Sequence, residues 1–198
     1  DAVTLTNATL SSARNGVADI QYSVSSGTLT VTGNHELFLP SGHSYSPGGD
    51  IVAVGMESRG SFNGGVGALN INRSLLISGG SFTSTSGTLS IDRDFTISGG
   101  TFSHNSGIVL LDTASANSNI NVGTEMLNDL IINKPGYDVV VAGTVDVDGN
   151  LTITSIDELR TGVVTVAGNI TTTDSNVRGT GTIRVDGTGP QTLSAGGG

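Results

Sequence analysis

Residues that commonly perform acid–base or nucleophilic chemistry are scarce in this chain. Its 198 residues include no Cys and only three His, at His35, His43 and His104. None of the three has a second His or a carboxylate at the spacing of a metal site, and no GxSxG nucleophile elbow is present. A Ser-His-Asp set would therefore have to be assembled by the fold from distant residues. His104 lies in a predicted turn, which favours an exposed side chain.

The segment DVDG at residues 146–149 is similar to the start of a calcium loop. A complete loop would continue with a further Asp or Asn and end with a Glu at its twelfth position. Here residues 150–154 read NLTIT, a strand pattern. The sequence favours Asp146 and Asp148 as outward residues beside a turn, with Ca²⁺ binding by this pair as the alternative. No other metal ligand, cofactor site or catalytic residue is predicted.

Two arginines and two aspartates form the remaining charged group. Arg73 and Arg93 occupy equivalent places in adjacent repeats, next to Asp92 and Asp94. Clustered carboxylates and basic residues in a groove would suit a polysaccharide lyase or glycosidase. The alternative is a surface ladder in which the aspartates offset the like charge of the arginines. We favour the ladder, because three Tyr and no Trp leave few aromatic platforms for a sugar.

These candidate residues lie within a repeated sequence. Residues 69–88 and 89–108 match at ten of twenty positions without a gap. In the C-terminal half, segments 145–153, 164–172 and 183–191 repeat at a period of nineteen. Apolar residues alternate with polar ones in each copy, as in a strand with one buried face, and Gly-rich breaks separate the strands. Each repeat is therefore expected to form two or three short strands.

A constant period of about twenty strand residues predicts a β-solenoid. At roughly 3.3 Å per residue, one repeat traces a closed loop of about 66 Å, which can stack on its neighbour at about 4.8 Å. The expected fold is all-β: one right-handed parallel β-helix of about ten coils, covering residues 1–198 as one domain. A β-sandwich is the alternative. Loops are expected near 40–50, with a seam near 109–126, and an internal stack is expected from Phe62, Phe82 and Phe102.

The composition limits the classes of partner. A formal net charge of −9 argues against nucleic acid, and no apolar stretch is long enough to insert into a membrane. Outward Thr residues leave ice binding as a lesser alternative, although they do not recur at one fixed pair of positions. The chain starts at Asp1, and we interpret it as a mature or excised segment.

The chain resembles the parallel β-helix repeats of bacterial surface and secreted proteins, such as filamentous adhesins and autotransporter passengers. The residues that carry this resemblance are segments 127–154 and 162–195 and the pair ISGGSF and ISGGTF. The resemblance implies a non-enzymatic stalk, fibre or adhesive shaft at the bacterial surface or outside the cell, with surface glycans as candidate partners. It supplies no catalytic residue.

Both termini continue the strand pattern without a predicted cap. The first ten residues, DAVTLTNATL, already alternate, with Val3, Leu5 and Leu10 as inward candidates, and the C-terminus keeps the pattern up to QTLSA. Unpaired backbone groups at the end of a solenoid favour pairing with another coil. We therefore expect end-to-end self-association or neighbouring repeats of a longer chain, with a terminal loop folded over the end as the alternative.

Overall fold

The protein is an all-β solenoid. A computed structural model describes residues 27–31, 36–113 and 115–196 in full, and before residue 27 only the backbone of four short strands. All strand pairs are parallel, so the antiparallel β-sandwich is excluded. The described part contains no helix, and hence none that could span a membrane.

The strands line up as three faces of the stack. The first face is a ten-stranded sheet formed, in chain order, by Ala8–Leu10, Thr28–Val31, Asp50–Ala53, Leu69–Ile71, Thr88–Ile91, Ile108–Leu111, Asp129–Lys134, Leu151–Ile156, Ile170–Thr172 and Leu193–Ala195. The main path of the second face comprises Ala18–Asp19, Glu36–Leu39, Gly55–Ser58, Leu75–Thr83, Phe95–Ser103, Ser118–Asn121, Val139–Val141 and Leu159–Arg160.

The third face is built from two groups of strands. Its N-terminal group is Ser44–Tyr45 and Ser61–Asn63, joined by the last residues of the two nine-residue strands that bend over from the second face. Its C-terminal group is a four-stranded sheet of Met126–Leu127, Thr144–Val147, Val163–Val166 and Thr182–Val185. The strands Thr4–Leu5 and Ser23–Val24 pair separately near the N-terminus.

The sequence periods correspond to single coils. Leu69 pairs with Leu89, and Val145 pairs with Val164, which are the offsets of twenty and nineteen read from the sequence. The stack comprises about eight turns, fewer than the ten expected. The difference is visible at the C-terminal end of the described chain, where the second face continues beyond Leu159–Arg160 only as the isolated parallel bridge between Glu158 and Arg178.

Equivalent apolar side chains stack through the interior, as predicted. The rings of Phe62, Phe82 and Phe102 lie almost parallel, with successive centroids 4.6 and 6.0 Å apart. Tyr45 extends this column, with its centroid 6.0 Å from that of Phe62. The SGG segments form the bends beside it, because Gly80 has a φ of 68° in the left-handed region that favours glycine.

The two stretches expected as a loop and a seam both contribute strands. Within 40–50, Ser44–Tyr45 joins the third face and buries Tyr45. Within 109–126, Ser118–Asn121 continues the second face, but Phe95 pairs with Ile120, twenty-five residues later rather than twenty. The extra residues lengthen the connection between the first and second faces from residues 92–94 to residues 112–117, and the stack of coils continues beyond it.

Candidate functional site

The two histidines in the described residues lie at exposed or half-buried turns. His43 is exposed, and its ring Nδ1 lies 3.3 Å from the carbonyl oxygen of Ser41. In the His104 ring, Nδ1 accepts a hydrogen bond of 2.9 Å from the backbone N–H of Ser106, and Nε2 lies 3.9 Å from a carboxylate oxygen of Asp148. His35 lies outside the described residues. The geometry brings no serine hydroxyl and carboxylate together around either described ring.

The two calcium candidates have different surroundings. Asp146 is half-buried, and its Oδ1 accepts a hydrogen bond of 2.7 Å from the hydroxyl of Thr165 on the next coil. Asp148 is exposed beside His104. In the part of the chain that the structure describes, no three His, Asp or Glu side chains converge as a metal site. Ca²⁺ binding by this pair stays a prediction.

The two arginines and two aspartates of the charged group do not converge on one site. Arg73 and Arg93 are exposed and stacked one coil apart, with the backbone N–H of Arg93 donating to the carbonyl oxygen of Arg73. Asp94 accepts from the backbone and side-chain N–H groups of Asn119 on the following coil, at 2.9 and 2.7 Å. Asp92 instead lies close to a buried lysine.

That buried lysine is Lys134, which the sequence analysis did not single out. It is fully buried at the end of a first-face strand. Its Nζ donates to the backbone carbonyl oxygens of Asp92 at 2.7 Å and Asp112 at 2.9 Å, on the two preceding coils. The ammonium group therefore lies at the corner where the first-face strands Thr88–Ile91 and Ile108–Leu111 end, and an apolar side chain there would leave these carbonyl groups without this hydrogen bond.

The electrostatics of this corner follow from burial. Desolvation lowers the pKa of Lys134, and the nearby carboxylates of Asp92 and Asp112 oppose that shift. Desolvation also raises the pKa of Asp92, opposed mainly by the charge of Lys134. Because the ammonium group has no contact with solvent and bonds two main-chain carbonyls, it is placed to hold coils together rather than to meet a substrate.

A second charged network crosses the C-terminal coils of the second face. Arg160 Nε lies 3.1 Å from a carboxylate oxygen of the buried Asp138 and 2.8 Å from one of Glu158. On the next coil, Arg178 pairs with Asp157 and approaches Glu158 at 3.8 Å. Each arginine is thus matched by more than one carboxylate, which is typical of a ladder that compensates charge between coils.

The last described coil is not covered like those before it. Val185 and Leu193 are 57% and 72% exposed, whereas Val166 and Ile170, their partners one coil earlier, are 0% and 5% exposed. Positions that are core in the preceding coil are therefore surface at this end of the stack.

No family model, no curated protein and no solved structure matched this chain when it was compared with known proteins.

Proposed function

We propose that this chain is a non-enzymatic structural segment of a bacterial surface or extracellular protein, serving as a rigid stalk, fibre or adhesive shaft. The observation that carries the proposal is the continuous core, in which equivalent apolar residues stack in register from coil to coil. Val185 and Leu193, on the last described coil, expose to solvent the positions that Val166 and Ile170 bury in two separate columns one coil earlier. A further coil would continue both columns.

The polar groups support the same role. Lys134 bonds main-chain carbonyls of two earlier coils, and Arg160 and Arg178 bond carboxylates within the same wall. Their hydrogen-bonding capacity is used between coils, as expected for a part that transmits load or sets a distance. The surface placement is proposed from the resemblance to bacterial surface repeats, which segments 127–154 and 162–195 carry.

The occupant we propose for the uncovered coil is another coil of this kind of repeat. A parallel strand on the first or third face would pair the outer backbone groups of Leu193–Ala195 and Thr182–Val185, each of which has a strand partner on one side only. That coil could come from the same polypeptide or from a second copy, and the two sources differ in whether assembly depends on concentration.

The assembly test compares an end variant with a side variant. Leu193→Asp places a charge on the uncovered coil, and Val66→Asp places one on an 84% exposed turn along the stack. If a second copy covers the end, sedimentation will show concentration-dependent association that Leu193→Asp abolishes and Val66→Asp preserves. If the chain stays monomeric, a fusion that carries an added copy of residues 162–195 should have a higher melting temperature than the original chain. The proposal is contradicted if the chain does not associate and the fusion is no more stable.

The non-enzymatic part is tested separately. The chain is incubated with acidic and neutral polysaccharides, and new reducing ends or unsaturated ends are measured. Sustained turnover would overturn the structural role in favour of a polysaccharide lyase or glycosidase. Thermal hysteresis of the purified chain would overturn it in favour of ice binding.

A further inference from the structure

An open cleft lies beside the Gly corner of the N-terminal coils. It has a volume of about 410 Å³ and is formed where the turn after Pro40 faces the bends at Gly60 and Gly80. Its side-chain donors are His43, Arg59, Ser61 and Ser81 together with Ser41 and Ser44. This volume is within the range of about 300–1,000 Å³ that small ligands occupy.

The guanidinium group of Arg59 is held in place from two directions. Its Nε donates to Glu57 Oε1 at 2.7 Å, and its Cζ lies 5.2 Å from the centre of the Phe38 ring. Glu57 Oε1 also accepts from the hydroxyl of Ser78 at 2.8 Å, which fixes the carboxylate. Among the described residues, no hydrogen bond joins Nη1 or Nη2 of Arg59 to another group. Those two nitrogens form the fork that binds a carboxylate in a bidentate manner.

The other cleft residues provide donors and acceptors for hydroxyl groups. The Oγ atoms of Ser61 and Ser81, one coil apart, lie 3.0 Å from each other. The Nδ1 atom of His43 lies near its own turn, which leaves Nε2 for an outside partner. Glu57, which holds the guanidinium of Arg59, does not itself line the cleft, so among the described lining residues the charged and polar side chains are those of Arg59, His43 and the serines.

We propose that this cleft binds the carboxylate-bearing sugar of an acidic glycan, with Arg59 on the carboxylate and the two serines and His43 on the sugar hydroxyls. This site is independent of whether a further coil covers the C-terminal end, since the cleft lies on the side of the N-terminal coils. Binding should weaken as salt rises, because part of the attraction is between exposed charges.

The test measures binding of an oligosaccharide that alternates glucuronic acid and N-acetylglucosamine, by calorimetry and by amide NMR shifts. The matched probes are an oligosaccharide with glucose in place of glucuronic acid, and acetate and inorganic sulfate alone. We expect the acidic oligosaccharide to shift the amides of 41–44 and 59–61, and the neutral one to bind at least about tenfold more weakly. Equal binding of the neutral probe, or equal affinity for acetate or sulfate, would overturn the proposal.

Three variants locate the site. Arg59→Gln should weaken binding of the acidic oligosaccharide at least about tenfold, whereas Arg73→Gln, at an exposed arginine outside the cleft, should leave it unchanged. If Arg59→Gln lowers the melting temperature through loss of its packing, His43→Ala, at an exposed side chain, serves instead and should weaken binding several-fold. Unchanged binding by every folded cleft variant, or shifts confined to other coils, would contradict the assignment.

Discussion

Replacement of Lys134 by Met should destabilise the protein although it puts an apolar side chain into a buried position. The ammonium group bonds two main-chain carbonyls and lies near the carboxylates of Asp92 and Asp112. Methionine fills similar space, but both carbonyls lose a charge-assisted bond and Asp92 loses its compensating charge. Removal of one member of a buried charged set costs about 3–5 kcal/mol, and recovered desolvation and apolar burial offset part of it. We expect a net loss of about 3 kcal/mol.

The loss can be measured by urea unfolding and by calorimetry. For a chain of this length, about 3 kcal/mol corresponds to a fall in melting temperature of roughly 6–12 °C. The matched control is Ile156→Met, because Ile156 pairs with Lys134 one coil later and is also buried. That swap of similar apolar volumes should cost less than about 1.5 kcal/mol.

The pH dependence gives an independent signature. Burial lowers the pKa of Lys134 from its ordinary value of 10.5. Between the lowered value and 10.5 the unfolded chain binds a proton that the folded chain has released, so this residue makes the free energy of unfolding rise with pH in that window. Lys134→Met should remove that rise. A variant as stable as the wild type, with the same pH profile, would refute the role assigned to the ammonium group.

Three further outcomes follow from individual positions. Tyr45→Phe should raise the free energy of unfolding by about 1 kcal/mol, because the buried phenol oxygen has no hydrogen-bond partner among the described residues. Burial also raises the pKa of Tyr45 to about 12, so the wild type should lose stability relative to this variant as pH rises from 10 to 12. Urea titrations of both proteins across this pH range would show the difference. Gly80→Ala should lower the free energy of unfolding, measured in urea, by more than about 3 kcal/mol, because a Cβ would overlap a carbonyl group of the preceding coil. The control is Gly42→Ala, which has a similar positive φ but open space around it and should cost about 1 kcal/mol. Addition of Ca²⁺ should leave the melting temperature unchanged, since no three His, Asp or Glu side chains of the described residues converge at the DVDG segment as a metal site; a rise that Asp148→Asn abolishes would establish calcium binding there.

The fold was largely predictable because solenoid geometry converts sequence period into spatial register. The identity of Leu69 with Leu89, and of Phe82 with Phe102, gave the pairing partners directly, and both pairs are in register. The number of turns was less predictable, because dividing chain length by the repeat length treats every stretch as a full coil. The second face breaks that assumption, because its main path has eight strands where the first face has ten.

The polar interior was the part that period alone could not reveal. Alternation along Leu130, Ile132 and Lys134 places all three on the inward side of one strand, and this signal was present in the sequence. A lysine at an inward position conflicts with its high cost of burial, so it is easily taken for the end of the strand. Only the three-dimensional path shows that carbonyl oxygens from two other coils meet at that corner.

The side chains that bridge more than one coil suggest why a repetitive stack keeps a single register. Similar coils can in principle pair one repeat out of place, because apolar columns of Leu, Ile and Val are nearly interchangeable. Lys134 bonds carbonyls 42 and 22 residues earlier, and Asn105 Nδ2 bonds carbonyls 40 and 21 residues earlier. A slip of one coil would leave these buried or half-buried groups unpaired, at a cost of about 1–3 kcal/mol for each.

We infer that such polar bridges select the register while the apolar columns supply most of the stability. Hydrogen exchange of Lys134→Met tests this inference: loss of protection on the coils of Asp92 and Asp112 supports it, and protection reduced evenly along the whole stack contradicts it.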